Sequence, residues 1–275
     1  MTPLTLLHCS DLHFGHPAVP EQYEALEALV VERRYDVVAI SGDLSQRSRA
    51  GEFQRARVFV QNAERVSRVI VVPGNHDVAW WFAPLRIGNP EALLRMYRRY
   101  ISDDIEPVLR VPGAVIAGLN TSQGVLLETL TWNLRDVSII GHVARAQLAR
   151  LRTLFADVPA DVLRVVVMHH NPVRGQLSQR LGLKHSDRIL RDFAEMKIDL
   201  VLCGHDHQEA VRWVERANGG TVVSVAGTLS DRSRGGRPSS VNVITASTDG
   251  IEVDTLVWSD RDRTFTPGAG QRFPR

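Results

Sequence analysis

Five apolar runs in this chain each end in a tight cluster of aspartate, asparagine or histidine, and that repeated pattern restricts the fold more than any other feature. Residues 4–9 run into Asp11-Leu12-His13, and residues 36–41 into Gly42-Asp43. Residues 69–72 stop at Pro73-Gly74, a pair that ends strand pairing and turns the chain, and lead on to Asn75-His76-Asp77. Residues 163–168 end in His169-His170, and residues 200–203 in Gly204-His205-Asp206-His207. Short runs rich in valine, leucine and isoleucine read as strands, and a sixth lies at 114–119. Amphipathic stretches at 21–33, 51–64, 90–100, 144–155 and 187–196 predict helices between them. Such alternation predicts an α/β sheet, in which ligands bind outside the carboxyl ends of the strands. The five polar tips are therefore expected to converge on one crevice.

After Gly204 the pattern changes to strands alone, at 221–226, 241–246 and 251–257, which predicts a second, more antiparallel sheet. Residues 1–258 are expected to form a single domain. The stretch 259–275, with two prolines and two glycines, reads as a loosely held C-terminal arm. Hydrophobic residues make up 44% of the chain and charged residues 23%, which excludes the disordered and fibrous classes. Only Lys184 and Lys197 among the 33 basic residues are lysines. The arginines are scattered among acids rather than gathered in a stripe, so a nucleic-acid surface is not expected. The start, MTPLTLLHCSDLHFG, lacks a basic segment ahead of its apolar run and reads as a first strand, not a signal peptide. No run reaches the length of a membrane span, and a cytoplasmic location is the default expectation. Cys9 and Cys203 each end a strand-like run, where a small buried hydrophobe is expected rather than a disulfide.

The side chains at the five tips decide the chemistry. Asp11 and His13 are two residues apart, as are His205 and His207, and in an extended backbone that spacing sends both side chains to one side. Together the tips offer two carboxylates, an amide oxygen and at least four imidazoles. Hard oxygen mixed with borderline nitrogen suits Zn, Mn, Fe or Co rather than Ca. The set is too large for one tetrahedral ion and about right for two ions sharing a carboxylate.

In the order Asp-x-His, Gly-Asp, Gly-Asn-His-Asp, His-His, Gly-His-x-His, these motifs resemble those of the calcineurin-like metallophosphoesterases over residues 9–207. The resemblance implies a four-layer α-β-β-α sandwich of two mixed β-sheets flanked by helices. It also implies two metal ions, Mn, Fe or Zn. One would be held by Asp11, His13 and His207, the other by Asn75, His169 and His205, with Asp43 bridging both. His169 is taken as the ligand because it directly follows the strand, with His170 as its alternative. The two carboxylates offset only half the charge of two divalent ions, so the centre would attract a phosphate, and a hydroxide shared by the ions would attack phosphorus. His76 would stand beside the phosphate and protonate the leaving group, and Asp77 is expected to orient its imidazole.

Gln46, three residues after Asp43, stands where purple acid phosphatases carry a tyrosine, which argues against that branch. The segments SGDLSQRSRAGEF, PGNHDV, GLNTSQG and VAGTLSDRSRGG look most like class III cyclic nucleotide phosphodiesterases and bacterial glycerophosphodiesterases. The expected substrate is accordingly a small phosphodiester. His16, Asn171, Arg174 and the arginines of Asp231-Arg232-Ser233-Arg234 are candidate contacts to it. Trp80, Trp81 and Phe82 are expected to pack an insert at 79–113 onto the domain, while His142 and His185 are placed outside the site. Within the same fold a phosphomonoesterase or protein phosphatase lacks support, because Gln46-Arg47 replaces the arginine-bearing GDxxDRG pattern. A repair nuclease would need longer extensions, and a UDP-diacylglucosamine pyrophosphatase an acyl-binding lid. A scaffold on this fold is the non-enzyme alternative. Related phosphodiesterases are often dimers, which leaves room for a homodimer.

Overall fold

The computed structural model describes residues 3–16, 18–79, 90–123, 140–175, 182–216, 219–233 and 235–275. The first half runs β1 (Leu4–Cys9), α1 (Pro20–Arg33), β2 (Val37–Ile40), α2 (Ala50–Glu64), β3 (Arg68–Val71), α3 (Pro90–Leu93), α4 (Arg95–Tyr100), β4 (Val108–Val111) and β5 (Ala114–Leu119). It continues with α5 (Arg145–Ala156), β6 (Leu163–His170), α6 (Ser186–Glu195), β7 (Leu200–Gly204), β8 (Ala210–Arg216), β9 (Gly219–Val225), β10 (Ser240–Ala246), β11 (Gly250–Ser259) and β12 (Thr264–Pro274).

Two mixed six-stranded sheets result, in the orders β12-β11-β10-β1-β2-β3 and β4-β5-β6-β7-β9-β8. In the first, β1, β2 and β3 are parallel and β10 to β12 antiparallel. In the second, β5, β6, β7 and β9 are parallel, with β4 and β8 as antiparallel edges. The period of two along each strand sorts its side chains between layers. Leu4, Leu6, Val37, Ala39 and Ile70 of one sheet share a core with Ile116, Val165, Val167, Leu200 and Leu202 of the other. The alternate residues Leu7, Cys9, Val38 and Ile40 pack outward on α1, α2 and α4 through Leu26, Val30, Phe53, Phe59 and Tyr97. On the opposite side Val166, Met168, Val201 and Cys203 meet Leu148, Leu151, Phe155, Ile189 and Phe193 of α5 and α6. Strands covered on both faces have no polar side, which is why the runs read as continuously apolar. Both cysteines are buried free thiols, as their sequence positions predict.

Three expectations are corrected. The strands after Gly204 do not build a sheet of their own: β8 and β9 extend one sheet, and β10 and β11 the other. The helix expected over 90–100 is broken at Leu94, whose ψ of 15° interrupts the helical repeat. The stretch 259–275 is not a loose arm, since β12 pairs along β11 from Ser259↔Thr264 to Gly250↔Pro274. Its two phenylalanines anchor it, Phe265 against Trp258 at 5.5 Å between ring centroids and Phe273 stacked on Trp213 at 5.8 Å. Pro267 is tolerated because β12 is an edge strand and the ladder shifts register between Asp254 and Leu256. Short strands β4 and β8 were not marked by the apolar pattern. Of the 79–113 segment, α4 packs on α2, with Tyr97 fully buried and its hydroxyl donating to the Val71 carbonyl at 3.1 Å, while β4 pairs with β5 in the second sheet. Among the described residues no helix is long and apolar enough to cross a membrane.

If β12 belongs to the sheet, Phe265→Ala should destabilise the protein by about 3 kcal/mol, measured as a lowered urea midpoint. A midpoint equal to that of the wild type would restore the loose arm.

Candidate metal centre

The polar tips do converge, and the backbone achieves it by turning rather than by strand alternation. Asp11, His13, Asp43, His205 and His207 all have positive φ, between 46° and 73°. That left-handed region is sparsely populated outside glycine, though Asp, Asn and His visit it most readily. The paired spacing of Asp11 with His13 and of His205 with His207 therefore does not work through an extended backbone, as the spacing alone predicts. Each residue sits in a tight turn beyond its strand, and strain of this kind persists where surrounding contacts fix it. Glycines make the close approach possible: a Cβ at Gly74 would overlap the Asp43 carboxylate, and one at Gly204 the Asp11 carboxylate.

Two groups of donor atoms form. In one, the ligand atoms of Asp11, His13, Asp43 and His207 lie within 4.8 Å of one another. His207 Nε2 is 3.1 Å from both Asp11 Oδ1 and His13 Nε2. His13 Nε2 is 3.7 Å from Asp11 Oδ1 and 3.9 Å from Asp43 Oδ2. In the other, Asn75 Oδ1 lies 3.0 Å from both His169 Nε2 and His205 Nδ1, which are 3.3 Å apart. His169 Nε2 is also 3.4 Å from Asp43 Oδ2, so that one oxygen faces both groups. His170 has neither contact: its Nδ1 meets Thr121 Oγ1 at 2.7 Å, although its ring lies with those of His169 and His205.

These atoms fit metal ions. Donors bound at about 2.1 Å around one ion lie about 3.0–3.4 Å from each other, which matches the shorter separations here. Asp11 Oδ1 and Asp43 Oδ2 are buried with no hydrogen-bond partner, an arrangement that favours a cation. The second oxygen of each is held in place, Asp11 Oδ2 by the His205 N–H at 2.9 Å and Asp43 Oδ1 by the His76 N–H at 2.8 Å. His169 Nδ1–H donates to the Ser41 carbonyl at 2.9 Å, and His207 Nδ1–H to the Arg232 carbonyl at 3.2 Å. In both rings Nε2 is left as the inward acceptor, the arrangement found in metal-ligating histidines.

Protonation follows the same logic. Burial works against both carboxylates, yet the His207 imidazole holds Asp11 below the usual carboxylate range and His169 does the same for Asp43. Burial pushes His205 down to about 3 and His13 well below its ordinary value, so these rings are neutral. Burial opposes charge on His169 too, but the adjacent Asp43 outweighs it and lifts the ring to about 9, so Nε2 becomes an acceptor only when a bound ion displaces its proton.

Of the remaining expected residues, His76 stands beside the first group, its ring 4.9 Å from that of His13, with Nδ1–H donating to the Gln46 carbonyl at 2.8 Å. Asp77 does not orient that imidazole. Its carboxylate accepts the backbone N–H groups of Leu44, Ser45 and Gly74 and the Ser45 hydroxyl, at 2.8 to 3.1 Å, and so ties the Asp43 turn to the Asn75 turn. Asn171 is buried and spends its amide on the Val173 carbonyl at 3.0 Å, which turns it into its own loop. His16 is exposed and lines a cavity of about 580 Å³ with Gly15, Arg49 and Arg55. Arg174 is exposed, and Trp80, Trp81, Phe82 and Arg234 lie outside the described residues. The supporting carbonyls of Ser41, Gln46 and Arg232 escaped the sequence reading, because a main-chain oxygen carries no residue signature.

The calcineurin-like phosphoesterase family model matches residues 4–209. No curated protein matches the chain in sequence. Among solved structures, a purple acid phosphatase from yellow lupin (Lupinus luteus) seeds shares the fold with a TM-score of 0.69 at 11% identity, covering 100% of this chain and 54% of that one. The chain thus spans about half the length of the lupin protein. GAP50 of Plasmodium, described as the anchor in the inner membrane complex, has a TM-score of 0.61 at 13% identity over 100% of this chain and 89% of its own. The TT1561 protein of Thermus thermophilus has a TM-score of 0.53 at 16% identity, covering 97% of this chain and 99% of its own. Likeness at such identities establishes the fold alone.

Two outcomes follow from this geometry. Asp77→Ala leaves four donors without their acceptor and should cost about 3 kcal/mol of stability, seen as a lower urea midpoint. Adding Mn or Zn to chelated protein should raise its stability by about 2.7 kcal/mol at a hundredfold excess over Kd, and Asp43→Ala should abolish most of that thermal shift. A chelated protein whose melting temperature ignores both metals would contradict the donor assignment.

Proposed function

Because the chain belongs to the calcineurin-like phosphoesterase family, we propose that it is a dinuclear metal-dependent hydrolase of small phosphodiesters. One observation carries the reading: Asp43 Oδ2, buried and unpartnered, faces two groups of donors at once. Asp11, His13 and His207 would hold one ion and Asn75, His169 and His205 the other, with Asp43 shared. The mixed nitrogen and oxygen donors suit Mn, Fe or Zn. When bound, such ions supply an acidified water as nucleophile and draw charge from the phosphoryl oxygens.

The chain's own residues do the rest. The buried carboxylates and the turns that carry them hold the donors in place before substrate arrives. His76, with Nδ1–H fixed on the Gln46 carbonyl, directs Nε2 away from that anchor. In the doubly protonated ring Nε2–H can give its proton to the leaving alkoxide while Nδ1–H stays on Gln46. Preference for a diester rests on the sequence likeness to class III cyclic nucleotide and glycerophosphodiesterases, together with Gln46-Arg47 in place of an arginine-bearing monoesterase pattern. A scaffold role is the second reading, favoured by the shared fold of GAP50, described as an anchor.

Steady-state turnover of bis(p-nitrophenyl) phosphate and p-nitrophenyl phosphate by chelated, then Mn-, Fe- or Zn-loaded protein separates these readings. The expected result is metal-dependent turnover with the diester preferred. Asp43→Ala should remove it, and His76→Ala should lower kcat about 10²–10⁴-fold with metal retained. Monoester preference would move the activity to the phosphatase branch. Absence of turnover with every metal would favour the scaffold.

A further inference from the structure

The loop after β9 is pinned to the metal centre at several points. The Thr228 hydroxyl donates to the Asp11 carbonyl at 2.7 Å, and the Leu229 N–H donates to the same oxygen at 3.3 Å. Thr228 Oγ1 and Ser230 Oγ lie 2.8 Å apart, and Ser230 Oγ accepts the Arg232 N–H at 3.3 Å. The Arg232 carbonyl then receives His207 Nδ1–H at 3.2 Å. The backbone of Arg232 is thereby fixed beside a candidate metal ligand. Its side chain runs outward, and Nη1 donates to Gln46 Oε1 at 3.2 Å. Gln46 in turn holds His76 through its own carbonyl at 2.8 Å. Arg232 is therefore linked to His207 through its own carbonyl and to His76 through Gln46.

Its partner matters as much as its position. Gln46 is neutral, and among the described residues no carboxylate forms an ion pair with Arg232. A guanidinium has five N–H donors and Gln46 takes one. Those left over are fork-shaped donors of the kind that bind phosphoryl oxygens in pairs. A neutral tether also costs little to leave, since an exposed amide can be replaced by water at small net cost.

We propose that Arg232 binds the substrate's phosphoryl group, taking a non-bridging oxygen at the mouth of the site while Gln46 holds its guanidinium ready. This rests on the phosphoesterase reading above and adds to it the residue that grips the anion from outside the metal centre. No side-chain substitution removes the main-chain carbonyl that supports His207. Metal binding and phosphate binding are therefore separable at this position.

The test is calorimetric titration of inorganic phosphate into the full-length Mn-loaded protein, with Arg232→Gln, Arg232→Lys and Gln46→Ala beside the wild type, and turnover of bis(p-nitrophenyl) phosphate on the same samples. Arg232→Gln should weaken phosphate about 10- to 100-fold and raise KM for the diester similarly, with metal content and melting temperature unchanged. Arg232→Lys should recover part of the loss, and Gln46→Ala should change phosphate affinity by no more than about threefold. Phosphate affinity within twofold of wild type in Arg232→Gln would overturn the assignment. So would an equal loss in Gln46→Ala, which would make the arginine only a support for the Gln46 turn. Phosphate binding that depends on Arg232 in a protein with no turnover would sink the hydrolase reading while upholding the grip. No phosphate binding by the metal-loaded wild type would overturn both.

Discussion

Two carboxylate oxygens, Asp11 Oδ1 and Asp43 Oδ2, are buried without a hydrogen-bond donor, and the rest of the site is arranged around them. An ionised oxygen in that position is costly unless a cation faces it. Three imidazole nitrogens lie within 4 Å of the pair, from His13, His169 and His207. Two of those rings have their outer nitrogen fixed on a carbonyl, so their inner lone pairs add to the demand for positive charge. A metal ion held between these groups would offset that charge, and the free energy of binding it would add to the stability of the folded state.

Holding these groups together takes a rigid base. Parallel β1, β2 and β3 of one sheet and β6 and β7 of the other end at the same place, and the two sheets share one apolar interior. Close packing lets such an interior transmit little slack. Beyond the strand ends the chain turns through left-handed residues that would be unfavourable alone. Asp77 shows how the turns are kept: four hydrogen bonds from one buried carboxylate join the loop carrying Asp43 to the loop carrying Asn75. Burial, with the neighbouring Asp43 charge adding to it, pushes that carboxyl up to about 7 even with those donors.

A second buried polar chain supports the same region from below. His8 faces the opposite sheet, its ring nitrogens 2.9 Å from Ser41 Oγ and 3.3 Å from Ser224 Oγ. Burial keeps it neutral, down to about 3, as a hydrogen-bonded bridge between the sheets. Ser41 is thus held by its hydroxyl while its carbonyl orients His169. Polar contacts of this type specify how two apolar faces meet, because only one registry satisfies them.

Much of this protein was legible in the order of its residues. The apolar period located the strands of the parallel core, and the chemistry of Asp, Asn and His at their ends named the donors, because both signals are local and depend on side-chain type. The signals failed where structure depends on distant partners. Strand β12 reads as a polar, proline- and glycine-containing tail, and its pairing with β11, anchored by Trp258 and Trp213, makes it a strand. Asp77 looks like a partner for the imidazole beside it, yet its acceptors are filled by a loop some thirty residues earlier in the chain. The spacing of Asp11 and His13 suggested an extended backbone, while the real turns are left-handed because the Gly42, Asp43 and Leu44 carbonyls of a neighbouring loop take the N–H groups of Asp11, His13 and Phe14. Residue identity and spacing determined which groups could meet, and tertiary packing decided which way each one points, since direction is set by hydrogen bonds from segments far away in sequence.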